Sequence, residues 1–133
     1  MDVSIVIVNY KTPILLRDCV KSILDYSSGF DFEIIVVDNH SEDESKTLVT
    51  SMFPVVRWIE AGSNAGFGTA NNIGIKEANG EHVLLLNSDT ELYENSILES
   101  LKHYKEISKS NKIGLLGCKI EHRNKDLQPS CNY

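Results

Sequence analysis

The chain has 133 residues, which is close to the commonest size of a single domain, so one hydrophobic core is the default expectation. Hydrophobic residues make up 41% of the chain and charged residues 24%, a composition that argues against a disordered or fibrous protein. The formal net charge of -6 argues against a protein that binds nucleic acid through bulk positive charge, so an anionic ligand would need local neutralisation.

The cysteines and the apolar runs argue against other classes. Cys19, Cys118 and Cys131 are widely spaced and form no C-x-x-C pair, so they signal neither a disulfide framework nor a zinc site. This pattern is typical of a reducing, cytoplasmic setting. The run VSIVIV is too short for a signal sequence or a transmembrane segment, and a buried strand is the simpler interpretation.

Five short runs of β-branched or leucine-rich sequence predict strands that are covered on both faces. They lie at residues 3–8, 32–37, 55–60, 82–87 and 113–118. Helix-like segments lie between them. Thr12 and Pro13 give the first helix an N-cap and a proline at its first position. Ser41 and Glu44 form a capping box that would open the second helix.

The remaining helices complete an alternating order. The third predicted helix follows Gly68 and closes with a C-cap signature at Asn79 and Gly80, and a fourth begins near Asn95. The order β-α-β-α-β-α-β-α-β implies right-handed crossovers and a mostly parallel sheet with helices on both faces. In such sheets ligands bind outside the carboxyl ends of the strands, so the residues that follow each strand matter most.

Polar loops follow the first four predicted strands. They comprise residues 9–11, 38–41, 61–72 and 87–90. Any one of these loops is typical of ordinary turns, in which Asp and Asn side chains bond local backbone. All of them should gather at one edge of the sheet, which predicts a single ligand site there.

The glycine-rich loop also permits another interpretation. Gly66, Gly68 and Asn71 nearly match the dinucleotide fingerprint G-x-G-x-x-G between a strand and a helix, and Asp89 lies downstream. Against this, the third position is Asn71, and the motif lies in the third strand-helix unit rather than in the first. An NAD-binding Rossmann domain is therefore the less favoured alternative.

Asp89 follows the fourth predicted strand, beside Asn87 and Ser88. A carboxylate with neighbouring oxygen atoms suits a hard divalent cation such as Mg²⁺ or Mn²⁺, which completes its shell with water and ligand phosphates. A turn before Glu91 is the alternative, because such sequences are common in turns.

Four segments together resemble the donor-binding half of a family 2 glycosyltransferase with the GT-A fold. They are SIVIVNYKTPILLRDCVKSIL, EIIVVDNHSEDES, NAGFGTANNIGI and LLLNSDTEL, and the resemblance covers nearly the whole chain. The closing IGLLGCKI and QPS are most similar to the rhamnosyltransferase-like subgroup. The resemblance implies a truncated three-layer α/β/α, Rossmann-like nucleotide-diphospho-sugar transferase fold.

The resemblance also implies roles for individual residues. Val8, Asn9 and Tyr10 would hold the nucleotide base, and Asp38 would accept a hydrogen bond from its imide N–H. The residues beside the nucleotide sugar and the donor would be Asn64, Gly66, Phe67 and Asn72.

Asn87, Ser88 and Asp89 occupy the D-x-D position of the family, and Asp89 would coordinate Mg²⁺ or Mn²⁺ on the donor diphosphate. Because Asn87 replaces the first acidic residue, we expect weak metal binding without donor. Ser88 stands where the subgroup more often has proline. The implied reaction is inverting transfer, in which a carboxylate base deprotonates an acceptor hydroxyl.

The implied organisation is a nucleotide-sugar-binding domain at residues 1–120 and a tail at 121–133 that leads into an acceptor-binding part. The general base is expected beyond Tyr133, so we expect weak binding of a dTDP- or UDP-sugar and little transfer by this chain alone. The acceptor would be a glycan or a lipid-linked glycan of polysaccharide biosynthesis.

Three questions stay open at this point. A non-catalytic nucleotide-binding module is the second functional hypothesis. A second open question is whether the expected cytoplasmic protein associates peripherally with the inner face of a membrane. An exposed sheet edge would permit a homodimer.

Overall fold

A computed structural model describes residues 1–122 and 124–128 of the chain. The chain divides into two compact units, Met1–Ser96 and Ile97–Tyr133. The elements are, in order, β1 (Val3–Asn9), α1 (Pro13–Tyr26), β2 (Phe32–Asp38), α2 (Ser45–Met52), β3 (Val56–Glu60), α3 (Phe67–Glu77), β4 (His82–Asn87), α4 (Ser96–Ile107), β5 (Ile120–Glu121) and β6 (Leu127–Gln128).

The first unit is built on a four-stranded parallel sheet in the order β3-β2-β1-β4. All seven residues of β1 are buried, as expected for a central parallel strand covered on both faces. The first four predicted strands are therefore confirmed. The strand order reverses between β1 and β4, because the chain steps outward from β1 to β3 and then crosses back to β4.

Helix α3 covers one face of the sheet. Val6 and Val8 of β1 pack with Ile35 and Val37 of β2 and with Ala70 of α3 in one buried cluster. The helix approaches the sheet closely, because a Cβ added to Gly74 of α3 would lie 2.3 Å from Cγ1 of Val6. Glycine at this position therefore sets the distance between α3 and β1.

Helices α1 and α2 pack against each other. The apolar residues that α1 buries are Leu16, Cys19, Val20 and Ile23, and α2 buries Val49. Alternation along β1 and β2 turns Ile5, Ile7, Ile34 and Val36 away from the α3 cluster. The predicted three-layer α/β/α class with a mostly parallel sheet is confirmed.

The edge of the sheet at the amino ends of the strands is fixed by a hydrogen-bonded carboxylate. Glu33 Oε1 accepts hydrogen bonds from Ser4 Oγ at 2.6 Å and from the backbone N–H of Asn79 at 2.8 Å. Burial raises the pKa of Glu33, but these hydrogen bonds and the charge of Arg57 outweigh it and lower the pKa below its usual value. A Cβ on Gly80 would lie 2.4 Å from the Ser4 nitrogen, so close approach rather than a C-cap explains this glycine.

The predicted start of the second helix is wrong. Helix α2 begins at Ser45, and Ser41 forms no capping box with Glu44. The Ser41 hydroxyl instead donates to Asp38 Oδ1 at 2.6 Å, while Asp43 Oδ1 accepts a hydrogen bond from the Ser45 N–H at 2.9 Å. The Ser41 Oγ also accepts hydrogen bonds from the Lys11 N–H at 2.9 Å and from Asn9 Nδ2 at 3.1 Å, so neither of its lone pairs is left to cap a helix.

The predicted fifth strand is also wrong, because residues 113–118 form no strand. Gly114 and Gly117 weaken this run as a strand, and Leu115 is 94% exposed. In the second unit, β5 and β6 instead form a short antiparallel pair. The residues of the QPS motif beyond Gln128 and Cys131 lie outside the described residues.

Strand β4 lies at an edge of the four-stranded sheet, and its residues alternate between half-buried and exposed, so the expectation that both of its faces are covered is wrong. Val83 and Leu85 are 41% and 46% exposed. In the described part of the chain, no helix is long and apolar enough to cross a membrane.

Candidate functional site

A cleft of about 420 Å³ opens at the carboxyl edge of the sheet. It lies where the strand order reverses between β1 and β4, the place at which open α/β sheets bind ligands. It is lined by Val8, Tyr10, Thr12, Leu15, Asn39, Asn64, Phe67, Asn87, Ser88 and Asp89.

One wall of the cleft carries aromatic rings and amides. Tyr10 and Phe67 are 44% and 56% exposed, and the Lys11 Nζ lies 5.3 Å from the centre of the Tyr10 ring. Asn39 is buried, and its Nδ2 donates to Asn64 Oδ1 at 2.8 Å. Its Oδ1 is buried and has no hydrogen-bond partner in the described protein.

Asp38 does not line this cleft and is 4% exposed. Its Oδ1 accepts hydrogen bonds from Asn9 Nδ2 at 2.7 Å and from Ser41 Oγ at 2.6 Å. Its Oδ2 accepts a third hydrogen bond, from the Ser41 N–H at 2.8 Å. The carboxylate therefore fixes the loop after β2 to the end of β1.

The loops after β1 and β2 contain left-handed non-glycine residues. Lys11, His40 and Glu42 have φ angles of 55°, 67° and 53°. Such conformations are costly and persist where surrounding contacts fix them. The contact at Lys11 is a hydrogen bond of 2.9 Å from its backbone N–H to Ser41 Oγ.

The opposite wall is the loop after β4. The Asn87 carbonyl accepts hydrogen bonds from the Thr90 N–H at 3.1 Å and from the Thr90 hydroxyl, and it also lies 3.7 Å from the donor Cys19 Sγ. This anchoring leaves the exposed Asp89 at the cleft.

Cys19 lies behind this loop in the core of the first unit. Burial raises the pKa of its thiol from 9.0 to about 12. The negative charges of Asp89 and Glu91 also raise this pKa, whereas a hydrogen bond with Thr90 lowers it. The thiol is therefore a neutral donor behind the cleft.

Asp89 is the one carboxylate among the described residues that line the cleft. Within residues 1–122 and 124–128, no group of three or more Asp, Glu, His and Cys side chains could hold a metal ion. One exposed carboxylate fits Mg²⁺ or Mn²⁺ only when a ligand phosphate and water complete the oxygen shell. The protein is thus suited to a cation that arrives with a phosphorylated ligand.

The structure brings most of the predicted site residues together. Those that line the cleft are Val8, Tyr10, Asn64, Phe67, Asn87, Ser88 and Asp89. Asn9 and Asp38 lie buried below it, and Gly66, with a φ of 92°, precedes α3 beside it. Asn72 is exposed on α3 and does not line the cleft. The binding roles of all these residues stay predictions.

Three lining residues, Thr12, Leu15 and Asn39, were given no individual binding role from sequence, although Asn39 belongs to the loop 38–41 that was predicted to reach this edge of the sheet. Thr12 precedes α1, and the sequence suggested that it caps this helix. Its side chain makes no capping hydrogen bond, so it is available for other contacts in the cleft. Asn39 follows Asp38 directly, and the sequence carries no signal for which of the two side chains reaches the cleft. Leu15 follows the predicted helix start and has no distinguishing pattern.

Related sequences are found over most of the chain. The profile of the family described as Glycosyl transferase family 2 matches residues 4–129. The chain is 36% identical over 102 residues to the low-salt glycan biosynthesis hexosyltransferase Agl10 of Haloferax volcanii. This match covers 74% of the chain but only 31% of that protein.

Solved structures share the fold. TarS 1-349 of S. aureus in complex with UDP-GlcNAc has a TM-score of 0.72 and 23% identity, covering 80% of this chain and 32% of that chain. The mannosyltransferase PcManGT of Pyrobaculum calidifontis in complex with GDP-Man and Mn²⁺ has a TM-score of 0.66 and 22% identity, covering 72% and 30%. The chain therefore spans less than half of each of these proteins.

Proposed function

The chain belongs to glycosyl transferase family 2 and has the GT-A fold, and on this premise we propose that its cleft binds a nucleotide-diphospho-sugar for inverting glycosyl transfer. The observation that carries the proposal is the exposed carboxylate of Asp89 opposite Tyr10 and Asn64 in one cleft at the switch point of the sheet. A nucleotide needs an apolar surface on which its base can stack and a positive charge beside its phosphates. Tyr10 would provide the surface, and Asp89 would bind the cation that provides the charge.

The base would lie on the wall formed by Tyr10 and Phe67, with Val8 below it. The hydrogen bond to the base that the sequence assigned to Asp38 passes in this proposal to its neighbour, because the Asp38 carboxylate already accepts three hydrogen bonds. The neighbouring Asn39 Oδ1 has no partner in the described protein and would accept the imide N–H of the base. Asp38 and Asn9 then support the base site from below.

The donor sugar would lie towards Asn64 and Gly66, at the start of α3. Asn87 and Ser88 would face the diphosphate from the other wall of the cleft. Asn72 is the least supported of the predicted donor contacts, because it is exposed outside the cleft.

Asp89 would hold Mg²⁺ or Mn²⁺ together with the oxygens of the diphosphate. The bound cation would neutralise the diphosphate and stabilise its departure. Since Asn87 supplies no charge, Asp89 alone would give weak affinity for the cation before the nucleotide binds. This dependence also explains how a protein with a net charge of -6 would accept a polyanion.

The donor base is proposed to be uracil or thymine. TarS 1-349 forms complexes with UDP and with UDP-GlcNAc, which favours UDP for the first test. The resemblance of the sequence to the rhamnosyltransferase-like subgroup keeps a dTDP-sugar as the second choice.

The acceptor would be a glycan or lipid-linked glycan of polysaccharide biosynthesis, in keeping with the glycan biosynthesis named for Agl10. Asp89 is the one carboxylate among the described lining residues, and its role with the cation leaves no second carboxylate there for a general base. We therefore expect little sugar transfer by this chain alone, with the base supplied by an acceptor-binding part.

Location and assembly are parts of the same proposal. Cys19 and Cys118 are free thiols, which is consistent with a cytoplasmic location, including the inner face of a membrane. Strand β4 has an open edge, with Val83 and Leu85 partly exposed, which supports a homodimer through this strand.

Calorimetric titration tests the proposal. UDP, dTDP and GDP are titrated with and without Mn²⁺ into the wild-type chain and into Asp89→Ala. We expect Mn²⁺ to tighten binding of UDP or dTDP, and Asp89→Ala to abolish this gain. Asp31→Ala is the matched control, because Asp31 is exposed at the opposite edge of the sheet.

The outcomes separate the alternatives. Nucleotide binding that is indifferent to both Mn²⁺ and Asp89→Ala would favour a non-catalytic nucleotide-binding module. Binding of NAD without metal would favour the dinucleotide interpretation of the glycine-rich loop instead.

A further inference from the structure

A hydrogen bond joins the two walls of the cleft. The Thr12 Oγ1 and the Ser88 Oγ lie 3.1 Å apart, and both residues line the cleft. Thr12 belongs to the loop between β1 and α1, whereas Ser88 lies next to Asp89 in the loop after β4. This side-chain hydrogen bond therefore links the loop after β1 directly to the loop after β4.

The bond extends a buried network on the base side. The Thr12 hydroxyl donates to Asn9 Oδ1 at 2.9 Å, and Asn9 Nδ2 donates to Asp38 Oδ1 at 2.7 Å. Asn9 and Asp38 are 0% and 4% exposed, so these groups are shielded from water. Because the Thr12 proton goes to Asn9, the Ser88 hydroxyl is the donor to Thr12. The network is thereby continuous from the loop after β2 to the residue beside Asp89.

We propose that the Thr12–Ser88 hydrogen bond positions the Asp89 loop relative to the base side of the cleft and so couples cation binding to nucleotide binding. The inference rests on the proposed function, in which the diphosphate spans these two walls. Thr12 and Ser88 are positioning residues in this account. The bond would hold the Asp89 loop at the distance from the loop after β1 that a bound diphosphate requires. The entropy cost of ordering this loop on ligand binding is then smaller.

Coupling of this kind must be reciprocal. If the bond raises the factor by which Mn²⁺ tightens UDP binding, it raises by the same factor the effect of UDP on Mn²⁺ binding. A residue that only contacts the nucleotide, or only stabilises the fold, leaves both factors unchanged.

The experiment measures both factors in four proteins: wild type, Ser88→Ala, Thr12→Val and the double variant. UDP affinity is measured by calorimetry with and without Mn²⁺, and Mn²⁺ affinity by paramagnetic resonance with and without UDP. In Ser88→Ala we expect the mutual enhancement to fall about fivefold in both directions, the size expected for one net hydrogen bond. The coupling factor is the ratio of the UDP affinities with and without Mn²⁺, so a direct contact of Ser88 with the diphosphate that is lost equally in both conditions cancels from it.

The variants are chosen to reveal a shared bond. The double variant should lose no more coupling than either single variant, because both remove the same hydrogen bond. Thr12→Ser keeps the hydroxyl and should retain the coupling. Ser51→Ala and Thr50→Val are the matched controls on α2, away from the cleft, and thermal unfolding confirms that each variant is folded.

The results separate this inference from the function on which it rests. No binding of nucleotide by the wild-type chain would overturn the proposed function, and this inference with it. Metal-enhanced binding by wild type that is unchanged in Ser88→Ala, or additive losses in the double variant, would overturn this inference alone.

Discussion

Asp38 illustrates how a buried carboxylate supports a ligand site that it does not face. Its three hydrogen bonds come from Asn9 and Ser41, so its charge is used within the protein. The sequence predicted a functional Asp at this strand end, because polar residues after parallel strands gather at one edge. It could not predict that Asn39 rather than Asp38 lines the cleft, because Asp38 bonds to Ser41 in a loop whose backbone is left-handed at His40.

Replacing Asp38 by Asn should destabilise the fold. The substitution places an amide N–H₂ against donors of Asn9 or Ser41 and leaves at least one of them unpaired, which costs about 2 kcal/mol. The free energy of unfolding in urea measures this loss. Asp31→Asn, at an exposed position, should leave it nearly unchanged, and equal values for the two variants would contradict the buried network.

Cys19 should resist alkylation in the folded protein. A pKa raised from 9.0 to about 12 lowers its thiolate fraction at pH 8 by about a thousandfold, and burial blocks the reagent as well. Treatment with iodoacetamide followed by peptide mass spectrometry should find Cys118 modified and Cys19 free. Modification of both at similar rates would contradict this placement.

The same pKa predicts a loss of stability in alkali. The folded state holds the thiol proton more tightly than the unfolded state, so this contribution is complete below pH 9.0 and is lost as the pH rises towards 12. Urea unfolding between these pH values should therefore show a steeper decline for wild type than for Cys19→Ala.

Among the helices and strands, those with a regular apolar pattern were predicted correctly. An element whose boundary depends on competing local hydrogen bonds was not. The four parallel strands were predictable because their apolar runs are bounded by polar loops. The start of α2 was not, because Ser41 serves Asp38 rather than the helix. Residues 113–118 have the composition of a strand, but a strand also needs a neighbour, and sequence pattern alone does not supply one.

Two glycines of α3 should respond in opposite ways to alanine. Gly74→Ala places a Cβ 2.3 Å from Val6 Cγ1, so the helix must move and the protein should lose about 1–3 kcal/mol. Gly68→Ala meets no atom within 4 Å and should gain up to about 1 kcal/mol from helix propensity. Thermal unfolding of both variants measures the difference, and similar effects would contradict the close packing of α3.

Glu33 joins β2 to the loop before β4, and the stability that this contact contributes should depend on pH. Its lowered pKa means that its stabilising contribution is present above the usual pKa of 4.5 and is lost as the pH falls through the folded-state value. Glu33→Gln should therefore cost about 1 kcal/mol at pH 7 and less at pH 3. Glu81→Gln, an exposed control, should show no such dependence in urea unfolding.

At the scale of the whole molecule, the strand order creates the site. The order β3-β2-β1-β4 pairs β1 with β4 up to Val8 and Asn87, so the loops that follow these two strands lie side by side and line one cleft, which includes Tyr10 and Asp89. The sequence predicted this convergence from the alternation of strands and helices. It could not predict the Thr12–Ser88 contact, which joins residues far apart in the chain.

We propose that Asp89 holds a divalent cation only together with a nucleoside diphosphate. The most direct measurement follows the paramagnetic resonance signal of free Mn²⁺ as protein is added, with and without UDP. The account predicts weak Mn²⁺ binding alone, binding about tenfold or more tighter with UDP, and loss of this gain in Asp89→Asn but not in Asp31→Asn. Tight Mn²⁺ binding without nucleotide, or an undiminished gain in Asp89→Asn, would contradict it.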